Sequence, residues 1–179
     1  MFNVLSSGGP ITKKVIKKVC ILGDPGVGKT SVINRYVKNV FSPDYLSTIG
    51  ANVSTKELTL EGTHLIMSIW DIAGQQTSRS LSASHYNGSG GAVFVYDLTS
   101  QPSFDGLIQW EYQIKKVLKD VPHIFIANKT DLAEGMTIPE TRLPVAHKVK
   151  PNFFMVSAKT GEGLAAAFDY LGKQMLKSA

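Results

Sequence analysis

The sequence predicts an α/β fold: a doubly wound, mostly parallel six-stranded sheet with helices on both faces. Short apolar runs alternate along the chain with segments of helical periodicity, the pattern of strands joined by crossover helices. Three of the runs, Ala92 to Tyr96, Ile124 to Ala127 and Phe153 to Val156, are apolar almost throughout, as strands covered on both faces are. Each run also ends in glycine or a polar residue: Gly23, Asp71, Asp97, Asn128 and Ser157. Ligands of such folds bind outside the carboxyl ends of the strands, so these distant residues are expected on one rim.

Residues 1–12, with Ser6-Ser7-Gly8-Gly9-Pro10, read as a flexible leader ahead of a single domain over 13–179. Val19-Cys20-Ile21-Leu22 forms the first strand, Gly23 to Lys29 a glycine-rich loop, and Ser31 to Val37 a helix. Residues 41–50 mix turn formers with aromatics and keep no period, which predicts a long functional loop. Residues 51–60 and 63–71, joined at Glu61-Gly62, form a hairpin. In its second arm Leu65, Met67, Ile69 and Asp71 share one face and His64, Ile66, Ser68 and Trp70 the other. Trp70 either packs under a neighbouring helix or serves a partner. Ser103 to Lys119 reads as one helix with Phe104, Leu107, Ile108, Ile114, Val117 and Leu118 on its apolar stripe. Between Ile138 and Lys150 the prolines leave room for one short helix starting near Pro144. Leu164, Phe168, Leu171 and Met175 mark a final amphipathic helix.

At 179 residues one core suffices, and no apolar run is long enough to span a bilayer. The N-terminus shows neither a secretion signal nor a myristoylation glycine, so a cytoplasmic protein is expected, on a membrane only peripherally. Cys20, the one cysteine, reads as a small buried hydrophobe. The net charge of +5 gathers at Lys13, Lys14, Lys17 and Lys18 and at Lys115, Lys116 and Lys119. Neither cluster has interleaved aromatics for base stacking, so both read as solvated faces and no nucleic-acid partner is expected. His64, His123 and His147 follow no metal-ligand or triad spacing.

The chemistry lies in the loops. Gly23-Asp24-Pro25-Gly26-Val27-Gly28-Lys29-Thr30 has the spacing of a polyphosphate cradle, in which backbone N–H groups and a helix N-terminus surround phosphate oxygens. Lys29 reaches the β- and γ-phosphates and Thr30 offers a hydroxyl to magnesium. Asp71, at a strand end, suits the same ion, and Thr48 offers it a second hydroxyl. Gly74 leaves a backbone N–H open to the γ-phosphate, and Gln75 can orient an attacking water. In Asn128-Lys129-Thr130-Asp131 the last carboxylate can accept two N–H bonds from guanine, a donor pair adenine lacks. Ser157-Ala158-Lys159 can close over the purine with a backbone N–H.

These motifs, in this order, make the chain resemble the Ras superfamily of small GTPases and its Rab-like branch, over about Val15 to Leu176. The Rab-like cast comes from Ile49-Gly50, Ile69-Trp70-Asp71 and Val95-Tyr96-Asp97-Leu98-Thr99. The resemblance implies a G domain acting as a slow, magnesium-dependent GTP hydrolase and GTP/GDP switch in membrane traffic or a related pathway. Pro25, Gly26, Val27, Gly28, Lys29, Thr30 and Ser31 would surround the phosphates, with Tyr45, Thr48 and Gly74 over them. Phe41, Asn128, Lys129, Asp131, Ser157, Ala158 and Lys159 would hold the guanosine. Gln75, Lys29 and Thr48 would act in hydrolysis, and Thr30, Thr48 and Asp71 on the metal. Effector, exchange-factor and GTPase-activating proteins would use residues 41–53 and 70–86 of a monomer.

Some positions depart from that pattern. Pro25 replaces a small residue beside the γ-phosphate, Gln76 stands where Glu is usual, and the aromatic triad of the effector face reads Trp70, Val53 and His85. Pro25 and Gln76 motivate a second reading, a module that holds GTP and recruits effectors with little hydrolysis. The chain stops at Lys177-Ser178-Ala179 without a prenylation cysteine, so either a tail is trimmed or this member has no lipid anchor of its own.

Overall fold

The computed structural model describes residues 13–43, 48, 50–72, 85–118, 120–135 and 151–178. The strands are β1 (Lys13–Leu22), β2 (Ala51–Leu60), β3 (Thr63–Ile72), β4 (Ser89–Asp97), β5 (His123–Asn128) and β6 (Phe153–Met155). They form one sheet in the order β2-β3-β1-β4-β5-β6. Only the β2–β3 pair is antiparallel. The helices are α1 (Lys29–Lys38), α2 (Gln101–Asp105), α3 (Leu107–Val117) and α4 (Leu164–Lys177).

Alternate residues of the central strands feed two cores, which is why these strands are apolar in unbroken runs. Val19, Ile21, Val93, Val95, Ile124 and Ile126 meet α1 and α4, through Val32, Ile33, Phe168, Leu171 and Met175. Cys20, Leu22, Phe94, Tyr96, Phe125 and Ala127 meet Leu107, Ile114 and Leu118 on the opposite face. Cys20 is fully buried, and desolvation pushes its thiol up to about 11, so it packs and does not react.

β1 is longer than its apolar run, because Lys13 to Lys18 pair with Thr63 to Ser68 of β3 before β4 joins at Ser89. Backbone pairing extends the strand where side-chain pattern gives no signal. The helix expected over Ser103 to Lys119 is divided at Gly106. Ser100 caps α2 by accepting the Ser103 N–H, and Gly106 lies so close to Asp24 that a Cβ there would come within 3.0 Å of its carboxylate. Ile108 leaves the expected stripe and is 72% exposed, since Leu107 and Ile114 already cover the sheet. β6 is a three-residue edge strand and not a fully covered one. Phe153 stacks on Phe125 while Met155 is exposed. Trp70 packs against the second core with its ring half-buried, its N–H on Ser68 Oγ at 3.2 Å and the Lys18 ammonium 4.2 Å from its ring centre. The leader, Lys119 and the short helix expected near Pro144 lie outside the described residues.

α4 approaches the hairpin through Gly172, where a Cβ would lie 2.6 Å from Leu60 Cδ1 and 2.9 Å from Met67 Cε. Gly172→Val is therefore expected to lower the unfolding free energy by about 2 kcal/mol, seen as a lower urea midpoint at unchanged slope.

Candidate functional site

The parallel register carries Gly23, Asp71, Asp97 and Asn128 to the same end of the sheet, with Ile21 beside Asp71 and Asp97 beside Asn128. The phosphate loop leaves β1 there. Gly23, at φ 144°, runs so close to the Val95 carbonyl that no side chain fits, and Gly28, at φ 95°, has the Asn128 amide in the place of a Cβ. α1 thus begins without a side-chain cap. Its first N–H groups are left to whatever the loop binds.

Lys29 folds back under the loop. Its ammonium donates to the carbonyls of Gly23 at 2.7 Å and Asp24 at 2.8 Å. Burial lowers its pKa from 10.5 to about 8, against the pull of Asp71 and Asp24. Pro25 and Gly26 form the exposed lip of the loop, Val27 is buried, and Ser31 is half-buried in the first turn of α1.

Beside it, three side chains from three segments converge. The Thr30 hydroxyl donates to Asp71 Oδ2 at 2.5 Å and lies 2.8 Å from Thr48 Oγ1. Asp71 is 3% exposed, and its Oδ1 has no hydrogen-bond partner among the described residues. Desolvation holds its pKa above the ordinary carboxylate value, with Thr30 and Lys29 opposing. Two hydroxyls and a carboxylate with an open oxygen are hard donors, the set magnesium accepts. They fit that ion.

The opposite side of the rim is built on Asn128, which is 2% exposed. Its Nδ2 donates to Val27 O at 2.9 Å, and its Oδ1 accepts the Ala158 N–H at 3.1 Å. One side chain thereby joins the phosphate loop to the segment after β6. Of the backbone N–H groups of 157–159, one of which is expected over a purine, that of Ala158 is donated to Asn128. Asp131 accepts the Ser157 hydroxyl at 2.6 Å and has Lys159 Nζ at 3.9 Å. Lys129, at φ 71°, places its ammonium 2.6 Å from Asp97, whose other oxygen accepts the Thr99 N–H and hydroxyl. Phe41 is half-buried after α1, while Tyr45, Gly74, Gln75 and Gln76 lie outside the described residues.

Three contributors escape the sequence reading. Arg35 of α1 donates to the carbonyls of Ala158, at 3.0 Å, and of Lys159, clamping that loop to the helix. Asp97 was visible only as a strand end, not as the partner of Lys129. Trp110 of α3 donates to Asp24 at 2.8 Å across 86 residues of sequence, and no local pattern signals that contact.

Comparison with known proteins adds to this geometry. The Ras family model matches residues 18–177. A Ras-related protein RABG3f of Arabidopsis thaliana is 38% identical over 178 residues, 94% of this chain and 86% of that one. A Ras-related protein Rab7 of Pisum sativum is 39% identical over the same shares, and a Ypt/Rab-type GTPase Rab7 of Neurospora crassa is 37% identical over 92% and 84%.

The depressed Lys29 pKa has a defined sign. Between about 8 and 10.5 the unfolded chain binds a proton that the folded one has lost, so folding stability rises with pH across that window. In protein stripped of nucleotide, denaturant titrations from pH 8 to 10.5 are expected to show a gain that Lys29→Met abolishes.

Proposed function

The chain belongs to the Ras family and is a Rab-like small GTPase, a hydrolase of GTP that switches between GTP- and GDP-bound states; from this premise we propose how its own residues hold the nucleotide and act on it. The reading rests above all on the two hydrogen bonds of Asn128, which keep the phosphate loop and residues 157–159 together at one rim.

The triphosphate lies along Pro25 to Ser31, with Lys29 reaching the β- and γ-phosphates and Tyr45 and Gly74 closing over them. Bringing anionic oxygens to the buried ammonium favours the charged form that desolvation disfavours. Phe41 packs on the guanine, Asp131 accepts its N–H pair, and Lys129, Ser157, Ala158 and Lys159 frame it. Asp131 takes the N–H pair of the base beside the Ser157 hydroxyl it already accepts, and the bond between Asn128 and the Ala158 N–H stays in place. Thr30, Thr48 and Asp71 hold Mg²⁺, which when bound neutralises developing charge on the phosphates. Gln75 orients the attacking water. The remaining effect is positioning and charge stabilisation, without a covalent intermediate. No arginine of the described rim is free for the γ-phosphate, since Arg35 is engaged with the 158–159 carbonyls. Turnover by the chain alone is slow, and an activating partner supplies a cation to the γ-phosphate.

The protein works as a monomer in membrane traffic or a related pathway. Effectors, exchange factors and activating proteins read residues 41–53 and 70–86, where Val53 stands exposed beside Trp70. No described helix is long and apolar enough to cross a membrane, and attachment to one is peripheral, through partners or through a tail outside this sequence.

The decisive experiment is magnesium-dependent binding of GDP and GTP followed by single-turnover hydrolysis. GTP is expected to displace bound GDP while equimolar ATP does not. Gln75→Leu is expected to slow hydrolysis at least tenfold with little change in binding, and Pro25→Gly to alter the rate. Identical rates in both variants would remove these roles, and GTP persisting in the purified protein would favour an effector-recruiting module with little hydrolysis.

A further inference from the structure

The phosphate loop has a second anchor that none of the nucleotide roles uses. Trp110 donates its indole N–H to Oδ1 of Asp24 at 2.8 Å. Both residues are half-buried, and the indole is packed against the core beneath α3, so the N–H is aimed by packing and not by chance rotation. The main-chain carbonyl of Asp24 accepts from the Lys29 ammonium at 2.8 Å. One loop residue is thus held by α3 through its side chain and holds Lys29 through its backbone.

The chain on either side of Asp24 makes this anchor matter. Pro25 follows, with no backbone N–H to fasten the lip of the loop. Gly106 presses on the same carboxylate, where a Cβ would stand 3.0 Å from Oδ2 and 3.3 Å from Oδ1. That contact falls at the break between α2 and α3. The absence of a side chain lets the helix start reach the loop, and one turn later the indole closes the contact.

We propose that Trp110 is a positioning residue of the nucleotide site: through Asp24 it fixes the phosphate loop and Lys29, and so ties the position of α3 to retention of the nucleotide. The inference rests on the reading of this site as a guanine-nucleotide pocket.

The test uses the whole chain loaded with a fluorescent GDP derivative, chased with unlabelled GDP. Trp110→Phe keeps an aromatic ring and deletes the N–H; dissociation is expected to accelerate roughly tenfold, the size of one lost hydrogen bond to a charged acceptor. Asp24→Ala is expected to act alike, and the double variant to add little, because both remove one interaction. Asp24→Asn keeps an oxygen for the indole and is expected to recover much of the difference. A second readout uses the indole itself. The chain has two tryptophans, Trp70 and Trp110. In a Trp70→Phe background the emission of Trp110 is expected to shift when GDP is exchanged for a non-hydrolysable GTP analogue, and Asp24→Ala to abolish the shift. Unchanged dissociation in Trp110→Phe, even with a lowered melting temperature, overturns the proposal and leaves a merely structural tryptophan. Strict additivity of the two substitutions, or emission indifferent to the nucleotide, overturns it as well. A parent chain that binds no guanine nucleotide overturns this proposal together with the reading it rests on, whereas a parent that binds and a variant that matches it overturn this proposal alone.

Discussion

The buried amide of Asn128 is the joint on which the site depends. A single side chain with one donor group and one acceptor satisfies a phosphate-loop carbonyl on one side and a backbone N–H of the 157–159 segment on the other. Both groups are out of water, so neither has a cheap alternative partner. The geometry of two loops, more than a hundred residues apart in the chain, reduces to the placement of one residue at the end of β5. That placement is secured by the parallel pairing of β5 with β4 and β6.

Around this joint, backbone and charge are arranged against their ordinary preferences. The phosphate loop passes the Val95 carbonyl and the Asn128 amide too closely for any residue but glycine at 23 and 28. Lys29 and Asp71 are both buried, and each has its charged form disfavoured by desolvation while partly sustained by the other. An arrangement of this kind is unfavourable in isolation and becomes favourable when anions and a cation arrive together. The rim is therefore a place where stability has been traded for binding. The central strands of the sheet, covered on both faces, hold it in place.

The rim also extends beyond the loops that touch a ligand. Arg35 links α1 to the 158–159 carbonyls, Asp97 orients Lys129, and Trp110 reaches Asp24 from α3. Two of the helices packed on the sheet, α1 and α3, thus have a polar contact with one of the loops. A displacement of α1 or α3 would be felt at the nucleotide through named hydrogen bonds and not through a diffuse change of shape.

Much of this was legible in the chain by itself. The glycine spacing fixed the loop and helix start, the unbroken apolar runs announced strands covered on both faces, and the polar residue closing each run announced a common rim. These are local signals, because a side chain's preference for turn, strand or helix acts within a few residues of itself. The tertiary structure alone decided the rest. It drew Lys13 to Lys18 into β1 through pairing with β3, divided the expected long helix at Gly106 where it meets Asp24, turned Ile108 outward and left Met155 on an open edge. It also chose the partners of Arg35, Asp97 and Trp110. A hydrogen bond between residues 86 or 123 positions apart leaves no trace in composition or period. It exists only once burial of the two cores has set the distance and orientation of the groups that make it.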